Sequence, residues 1–261
     1  MSISSISGNN YNNIYASLSS GRRINSAADD AAGLAIAKKL ESQSGGLNVG
    51  ADNAAAGRDM LNVADGALSS ITDSLQRIRE LGVQASNATY SNSDRAAMQK
   101  EVDQLKKSIS DTASQTSFNT MNLLDGSRNS WNIAVNSNGD GTKIDTPDST
   151  LKALGIADFD LTKDFDLNKI DKAIDKVSSM RGNMGAKSNA LNSVVSYNQY
   201  ASYNTTAARS RIEDTDYPQA VTEKKKQEML MKYRLVMQRK MIENEDGRVT
   251  RLFGGTIPKF V

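Results

Sequence analysis

Residues 61–78 read LNVADGALSSITDSLQRI, and the apolar residues in this stretch recur at alternating intervals of three and four. Such intervals place side chains along one narrow face of an α-helix, as in the seam of a coiled coil. The same heptad phase extends back through Ala54, Leu47 and Leu40. The sequence therefore predicts one long helix over about residues 29–87, packed along its seam against partner helices.

Glycines interrupt this helix, among them those at positions 45, 46, 50, 57 and 66. Each costs about 1 kcal/mol relative to alanine in a helix interior, so the helix is not expected to be stable alone. A glycine has no side chain, and a neighbouring backbone can therefore approach it closely. We expect the helix to pack tightly against its partners.

Three more helices are predicted downstream from the same kind of spacing. The second begins near Ser93, where Ser93 and Asp94 can cap its N-terminus. The third runs from about Ile170 to Arg211, and the last from about Gln219 to Glu245, beyond a hinge marked by Pro218 and the polar cluster before it. The apolar positions of the first three helices form a predicted assembly seam, which comprises Leu61, Leu68, Ile71, Leu75, Ile78, Leu105, Ile109 and Leu191.

A β-hairpin is predicted between the second and third helices, within about residues 117–146. Residues 131–135 alternate in polarity, 136–141 read NSNGDG, and 142–144 read TKI; this order is typical of a hairpin. The turn also resembles the start of an EF-hand calcium loop, but Pro147 occupies the position of the bidentate ligand. A plain turn is favoured. The fold class is therefore mainly α: a long coiled-coil bundle with one small β-hairpin and terminal helical segments.

Composition excludes several classes of function. The 261 residues include no cysteine and no histidine, which excludes thiol nucleophiles, His- or Cys-based zinc sites and histidine general bases. The aspartates between Asp158 and Asp175 are interpreted as a solvated connector, not a carboxylate site. We predict no cofactor and no catalysis. The net charge of +2 and the lack of a long apolar run argue against nucleic-acid binding and membrane insertion.

The two terminal segments, about Ser2–Arg23 and Gln219–Glu245, each carry an apolar edge with little local surface to cover it. Segments of this kind become ordered on binding, either to each other or to neighbouring chains. This favours an assembly protein over an enzyme.

Four blocks of sequence resemble the signatures of bacterial flagellins, in the order in which that family carries them. Residues 18–37 read LSSGRRINSAADDAAGLAIA, and residues 207–217 read AARSRIEDTDY. Residues 64–87 and 116–124 supply the other two blocks. The resemblance implies a D0-like segment at 1–28 that also serves export, a D1-like bundle at 29–210 and a C-terminal D0-like segment at 211–261.

The resemblance also implies function and partners. Flagellins leave the cell through type III export and polymerise with copies of themselves into the extracellular filament used for motility. Their partners include an export chaperone, the filament cap and the hook–filament junction proteins. The stripe Leu230, Tyr233, Met237 and Met241 would contact the chaperone or line the inner tube. A hook–filament junction protein or minor axial protein is the alternative.

Two departures from the family pattern concern the ends of the chain. The segment before Leu18 is shorter than usual by roughly four helical turns, and the C-terminal helix is basic and rich in methionine. We therefore expect a reduced or rebuilt inner layer.

One further block is similar to the surface that Toll-like receptor 5 recognises on flagellins. It comprises Gln76, Arg77, Arg79, Glu80, Leu81 and Gln84, with Glu101 on the next helix. We rank Arg77 first because an exposed guanidinium at an interface centre is a frequent hot spot. The alternative is that Arg77 and Glu80 make filament contacts or a solvated i,i+3 pair.

Overall fold

The computed structural model describes residues 13–253, with side chains described for residues 13–245. A short helix, α1, covers residues 13–20. The remaining elements are α2 (Ala31–Ala85), α3 (Asn92–Gln115), β1 (Ser117–Phe118), β2 (Met121–Asn122), β3 (Ser130–Ala134), β4 (Gly141–Asp145), α4 (Leu151–Leu154), α5 (Asn168–Glu213) and α6 (Tyr217–Phe253). The mainly α fold class is confirmed. Predictions that fall on residues 1–12 and 254–261 lie outside the described residues.

The chain divides into two compact units. Among the described residues, the terminal unit combines residues 13–41 with residues 206–253, and the central unit is Ser42–Thr205. Residues 29–41 and 206–210, which the sequence assigned to the bundle, therefore group with the terminal segments.

The heptad stripe of α2 forms the core of the central unit. Leu68, Ile71, Leu75 and Ile78 are fully buried, together with Ile109 of α3 and Leu191 of α5. Leu105 packs against this core from a partly buried position. A side chain buried within one chain is not available to a second chain. The predicted assembly seam therefore holds one subunit together, and contacts between copies are left to other residues.

The cap of α3 differs from the prediction by two residues. Ser91, not Ser93, is the N-cap: its hydroxyl accepts from Asp94 N, and the Asp94 carboxylate accepts from Ser91 N at 2.9 Å. The Ser91 hydroxyl also donates to the Asp94 carboxylate at 2.7 Å, and this bond, followed by the one from Ser91 N, lowers the pKa of Asp94. Asp94 lies three residues after Ser91, and the two residues form a reciprocal capping box. Ser93 lies in the first turn of the helix instead of capping it.

The predicted hairpin is confirmed, and a second hairpin precedes it. Strands β3 and β4 pair antiparallel, with Trp131 opposite Ile144. Strands β1 and β2 form a shorter antiparallel pair closed by Asn119 and Thr120, both of which have positive φ angles. Two consecutive residues with φ above zero define a type I′ turn. Threonine is uncommon in that conformation, which is why the residue pattern did not reveal this turn.

Three of the α2 glycines lie against the β3–β4 hairpin. A Cβ atom added at Gly50 would lie 2.3 Å from the Val135 carbonyl oxygen, and one at Gly46 would lie 2.8 Å from the Ser137 carbonyl oxygen. A Cβ at Gly57 would lie 3.3 Å from Cγ1 of the Ile133 side chain. The predicted close approach is therefore confirmed at these three glycines, and at Gly46 and Gly50 the neighbour is the hairpin backbone, whereas a Cβ at Gly45 or Gly66 meets nothing within 4 Å.

Two asparagines fix the hairpin in this position. Asn53 of α2 donates through Nδ2 to the Ala134 carbonyl at 3.0 Å. Asn198 of α5, which is buried, donates through Nδ2 to the Val135 carbonyl at 2.7 Å. Strand-end carbonyls that would otherwise lack partners are thus satisfied from both long helices.

The sequence indicated that the acidic connector before α5 is solvated, but in the structure the connector is partly buried. Its apolar residues Ile156, Phe159 and Leu161 are buried in the core of the central unit. Lys106 of α3 donates through Nζ to the Ala157 carbonyl at 2.6 Å, and Gln99 of α3 accepts from Leu161 N at 2.7 Å. The connector therefore packs onto α3, because alternate residues between its aspartates are apolar.

The start of α6 also differs from the prediction. Tyr217 and Pro218 already belong to the helix, and Asp216 accepts from Gln219 N through Oδ1 at 3.2 Å. Proline is tolerated in the first turn because its missing N–H has no partner there. The break between α5 and α6 therefore lies at 214–216, before Pro218. Among the described residues, no helix is both long and apolar enough to cross a bilayer.

Candidate interaction surfaces

The first candidate surface is the outer side of α2 near its C-terminal end. The heptad stripe turns Leu75 and Ile78 inward, and it therefore leaves Gln76, Arg77 and Glu80 exposed. Glu101 of α3 lies beside them, partly exposed. The structure thus brings together the main charged residues that the sequence grouped by resemblance.

Arg77 is held between two carboxylates. Its Nε donates to Glu101 Oε1 at 2.8 Å, and its Nη1 donates to Glu80 Oε2 at 3.1 Å. The hydrogen bond to Glu101, followed by that to Glu80, raises the pKa of Arg77. The side chain nevertheless remains 48% exposed. The guanidinium is therefore oriented before any partner arrives, while its other donors remain accessible.

Arg79 has a partner that the sequence did not suggest. Its Nε donates to Asp171 Oδ1 of α5 at 2.5 Å, and this bond raises the pKa of Arg79. The two residues are separated by 92 positions. No local spacing connects them, so only the packing of α5 beside α2 could reveal the pair.

Leu81 corrects the predicted receptor set. Its side chain is only 2% exposed and belongs to the core of the central unit, so it cannot contact a partner of the folded chain. Gln84 is exposed and donates through Nε2 to the Tyr90 hydroxyl at 2.8 Å. The surface therefore consists of its polar members, and Leu81 supports it from beneath.

The second candidate surface is α6. The predicted stripe of Leu230, Tyr233, Met237 and Met241 is exposed along its whole length, between 43% and 63%. A second exposed apolar group, Met231, Leu235 and Ile242, recurs at intervals of four and seven on another face, and it was not among the predicted residues. A helix that is apolar on two faces has the surface for more than one neighbour.

The third candidate surface is a clamp in the terminal unit, formed by Arg22, Arg23, Arg209 and Glu213. The Glu213 side chain is only 5% exposed; Oε1 lies 3.0 Å from Arg22 Nη1, and Oε2 lies 3.8 Å from Arg209 Nε. The Glu213 carbonyl accepts from Arg23 N at 2.7 Å. Arg23 also donates through Nη2 to the Ile212 carbonyl at 2.7 Å.

Two further hydrogen bonds to backbone carbonyls of the N-terminal segment lie beside this clamp. Thr215 N donates to the Gly21 carbonyl at 3.0 Å, and the Tyr217 hydroxyl donates to the Leu18 carbonyl at 2.6 Å. The N-terminal segment is thus fixed beside the junction of α5 and α6. The clamp uses residues from two of the sequence blocks quoted above, one near each end of the chain.

Within the described residues, no group of three or more histidine, cysteine, aspartate or glutamate side chains is arranged to hold a metal ion. The surfaces that the chain offers are helix faces and ion pairs, which suit contacts with other macromolecules.

Comparison with known proteins agrees with this description. Residues 2–129 match the bacterial flagellin N-terminal helical region, and residues 167–240 match the bacterial flagellin C-terminal helical region. The flagellar filament 33 kDa core protein of Treponema phagedenis is 36% identical over 236 residues, which cover 82% of each protein. The flagellin of Halalkalibacterium halodurans is 38% identical over 213 residues, covering 79% of this chain and 78% of that protein.

A solved flagellin structure is also similar to this chain. The crystal structure of Bacillus cereus flagellin aligns with a TM-score of 0.51 at 29% identity, over 57% of this chain and 90% of that one. The two family models together match more than half of the residues of this chain. The chain therefore belongs to the bacterial flagellin family, a family of structural proteins and not of enzymes.

Proposed function

We propose that this chain is a structural subunit of the bacterial flagellar filament and polymerises with copies of itself outside the cell. The observation that carries the proposal is α6. Its large apolar side chains on two faces remain exposed in a single chain, whereas the heptad seam of the central unit is closed. Exposed apolar surface on this scale is typical of a protein that buries it against partners.

Electron microscopy of the purified chain, with and without sheared filament seeds, tests the proposal. Filaments with a helical lattice support it. Monomers that persist at high concentration with seeds would overturn it and favour a hook–filament junction or minor axial protein. We also propose that the filament cap and hook–filament junction proteins bind the filament ends, and adding these proteins to the same preparation tests it.

The apolar stripe of α6 is the surface on which polymerisation and export are proposed to depend. Before export, a flagellar export chaperone covers Leu230, Tyr233, Met237 and Met241; after export, neighbouring copies cover them. We expect the double substitution Leu230→Ser and Met237→Ser to abolish seeded elongation and chaperone capture, since both partners bury these side chains. Sedimentation of polymer and co-purification with the chaperone are the measurements.

The control for this variant is a pair of polar positions on the same helix, the partly buried Gln227 and the exposed Gln238, changed together as Gln227→Ser and Gln238→Ser. Both changes leave the apolar stripe intact. Elongation at the normal rate by the Leu230→Ser, Met237→Ser variant would exclude the stripe from assembly. Because both apolar residues are exposed in the single chain, loss of folding is not the expected cause of failure.

We also propose that Toll-like receptor 5 recognises the exposed side of α2 and α3, through Gln76, Arg77, Arg79, Glu80, Gln84 and Glu101. Support comes from Arg77, which two carboxylates orient while its remaining donors face solvent. We expect Arg77→Ala to reduce receptor activation at least about tenfold, the effect of losing an interface hot spot. A reporter-cell dose response measures it.

Arg58→Ala is the matched control for Arg77→Ala. Arg58 is another partly exposed arginine of α2 that pairs with a carboxylate, Asp59, at 2.9 Å, but it lies outside the proposed surface. If the two variants activate the receptor equally, the charged surface around Arg77 is not the recognition site.

A further inference from the structure

The methionines of this chain fall into two groups that differ in exposure. The α6 methionines, Met229, Met231, Met237 and Met241, are 72%, 56%, 44% and 63% exposed. The other methionines whose side chains are described lie in the central unit and are buried or partly buried, namely Met60, Met98, Met121, Met180 and Met184. The methionine side chains most accessible to solvent are therefore concentrated on one helix.

The α6 methionines occupy both apolar faces of that helix. Met237 and Met241 form the C-terminal half of the predicted stripe, and Met229 lies one turn before Tyr233 on the same side. Met231 belongs to the second exposed apolar group. A change in the polarity of methionine therefore alters both surfaces that α6 offers to partners.

The helix itself does not require methionine at these positions. Leucine has a similar helix propensity and replaces methionine with little change in volume. What distinguishes methionine is its thioether, which takes up an oxygen atom from a peroxide and becomes a polar sulfoxide. Each sulfoxide places a hydrogen-bond acceptor in an apolar face, and burying that face against a partner then leaves the acceptor unsatisfied.

We propose that the α6 methionines are a site of reversible oxidation, and that peroxide acting on them withdraws the free chain from assembly. One peroxide oxygen forms a bond to the thioether sulfur as the O–O bond breaks; the sulfur is oxidised by two electrons, and the peroxide is reduced to water. The free chain is the form that reacts, because a polymer that buries α6 also buries these sulfurs. The effect on assembly rests on the proposed function, whereas the modification itself does not.

Peptide mass spectrometry of the monomer treated with hydrogen peroxide tests the modification. Met60 and Met184 are only 3% and 4% exposed and serve as controls within the same sample. We expect each α6 methionine to gain one oxygen atom at least about tenfold faster than this buried pair, because peroxide must reach the sulfur. Equal rates in the two groups would contradict the proposal.

Polymerisation of the oxidised chain tests the effect on assembly. We expect oxidation to raise the critical concentration at least about tenfold, the effect of losing an interface hot spot. Methionine sulfoxide reductases for both sulfoxide epimers, supplied with a dithiol, should restore the original value. A critical concentration that oxidation leaves unchanged overturns the effect on assembly, and sulfoxides that the reductases fail to remove overturn its reversibility.

Two leucine variants separate α6 from the central unit. The first carries Met229→Leu, Met231→Leu, Met237→Leu and Met241→Leu, and the second carries Met98→Leu, Met121→Leu and Met180→Leu. We expect the first to polymerise equally with and without peroxide, and the second to lose polymerisation after peroxide as the unsubstituted chain does. The reverse pattern would assign the sensitivity to the central unit and refute the proposal. If the untreated chain does not polymerise, the proposed function fails, while the oxidation rates in the monomer still decide the modification.

Discussion

Replacing Gly50 with alanine is expected to destabilise the central unit by about 3 kcal/mol, although alanine is the better helix former. The added Cβ would lie 2.3 Å from the Val135 carbonyl oxygen and 3.0 Å from Asn198 Nδ2. The first of these atoms belongs to the hairpin backbone, so the hairpin must move away from α2. That movement also strains the buried hydrogen bond from Asn198 to Val135.

Thermal unfolding followed by circular dichroism measures this effect. For a domain of this size, we expect Gly50→Ala to lower Tm by on the order of 10 °C. Gly45→Ala is the matched control, five residues away on the same helix, because a Cβ there meets nothing within 4 Å. That variant should gain up to about 1 kcal/mol from helix propensity alone. If both variants are equally stable, the hairpin does not pack on Gly50.

Removing the two arginines that pair with the Glu213 carboxylate is expected to cost about 3 kcal/mol in the terminal unit. The double substitution Arg22→Ala, Arg209→Ala leaves the Glu213 carboxylate, only 5% exposed, without the two arginines that face it. A buried charge that loses its partners is strongly destabilising, whereas an exposed pair is worth little. The contacts that fix the N-terminal segment beside residues 212–217 should then open.

Hydrogen exchange measures this opening locally. We expect faster exchange at the amides of Arg23 and Thr215, which donate to the Glu213 and Gly21 carbonyls, and little change in the central unit. Lys38→Ala is the control, because it removes an exposed i,i+3 pair with Glu41 in the same unit. Unchanged exchange in the double variant would show that the clamp does not hold the two segments together.

The sequence predicted the long helices and the larger hairpin because both depend on local periodicity. Apolar intervals of three and four placed α2 and α5 to within a few residues, and alternation around a glycine-containing turn placed β3 and β4. The β1–β2 hairpin could not be predicted in this way, because its strands have two residues each and its turn uses Thr120 in an uncommon conformation.

The interaction surfaces were predictable only in part. The charged residues around Arg77 are near one another along α2, so their shared face follows from helical spacing. Leu81 was wrongly included in the predicted receptor surface, because resemblance to a stretch of family sequence does not show which of its residues are exposed and which are buried. Asp171, the partner of Arg79, lies 92 positions along the chain, so no local spacing could connect the two residues.

The sequence by itself determined that long amphipathic helices form and that glycines permit close packing. It also determined that the sequence blocks at residues 18–37 and 207–217 resemble those of flagellins. Only the tertiary structure decided which glycines are indispensable: Gly50 lies against Val135, whereas a Cβ at Gly45 or Gly66 meets open space. It also decided that Glu213 is buried beneath Arg22. The physical reason is that a residue's intrinsic preferences act over a few neighbours, whereas steric clash and charge burial depend on segments far apart in the chain.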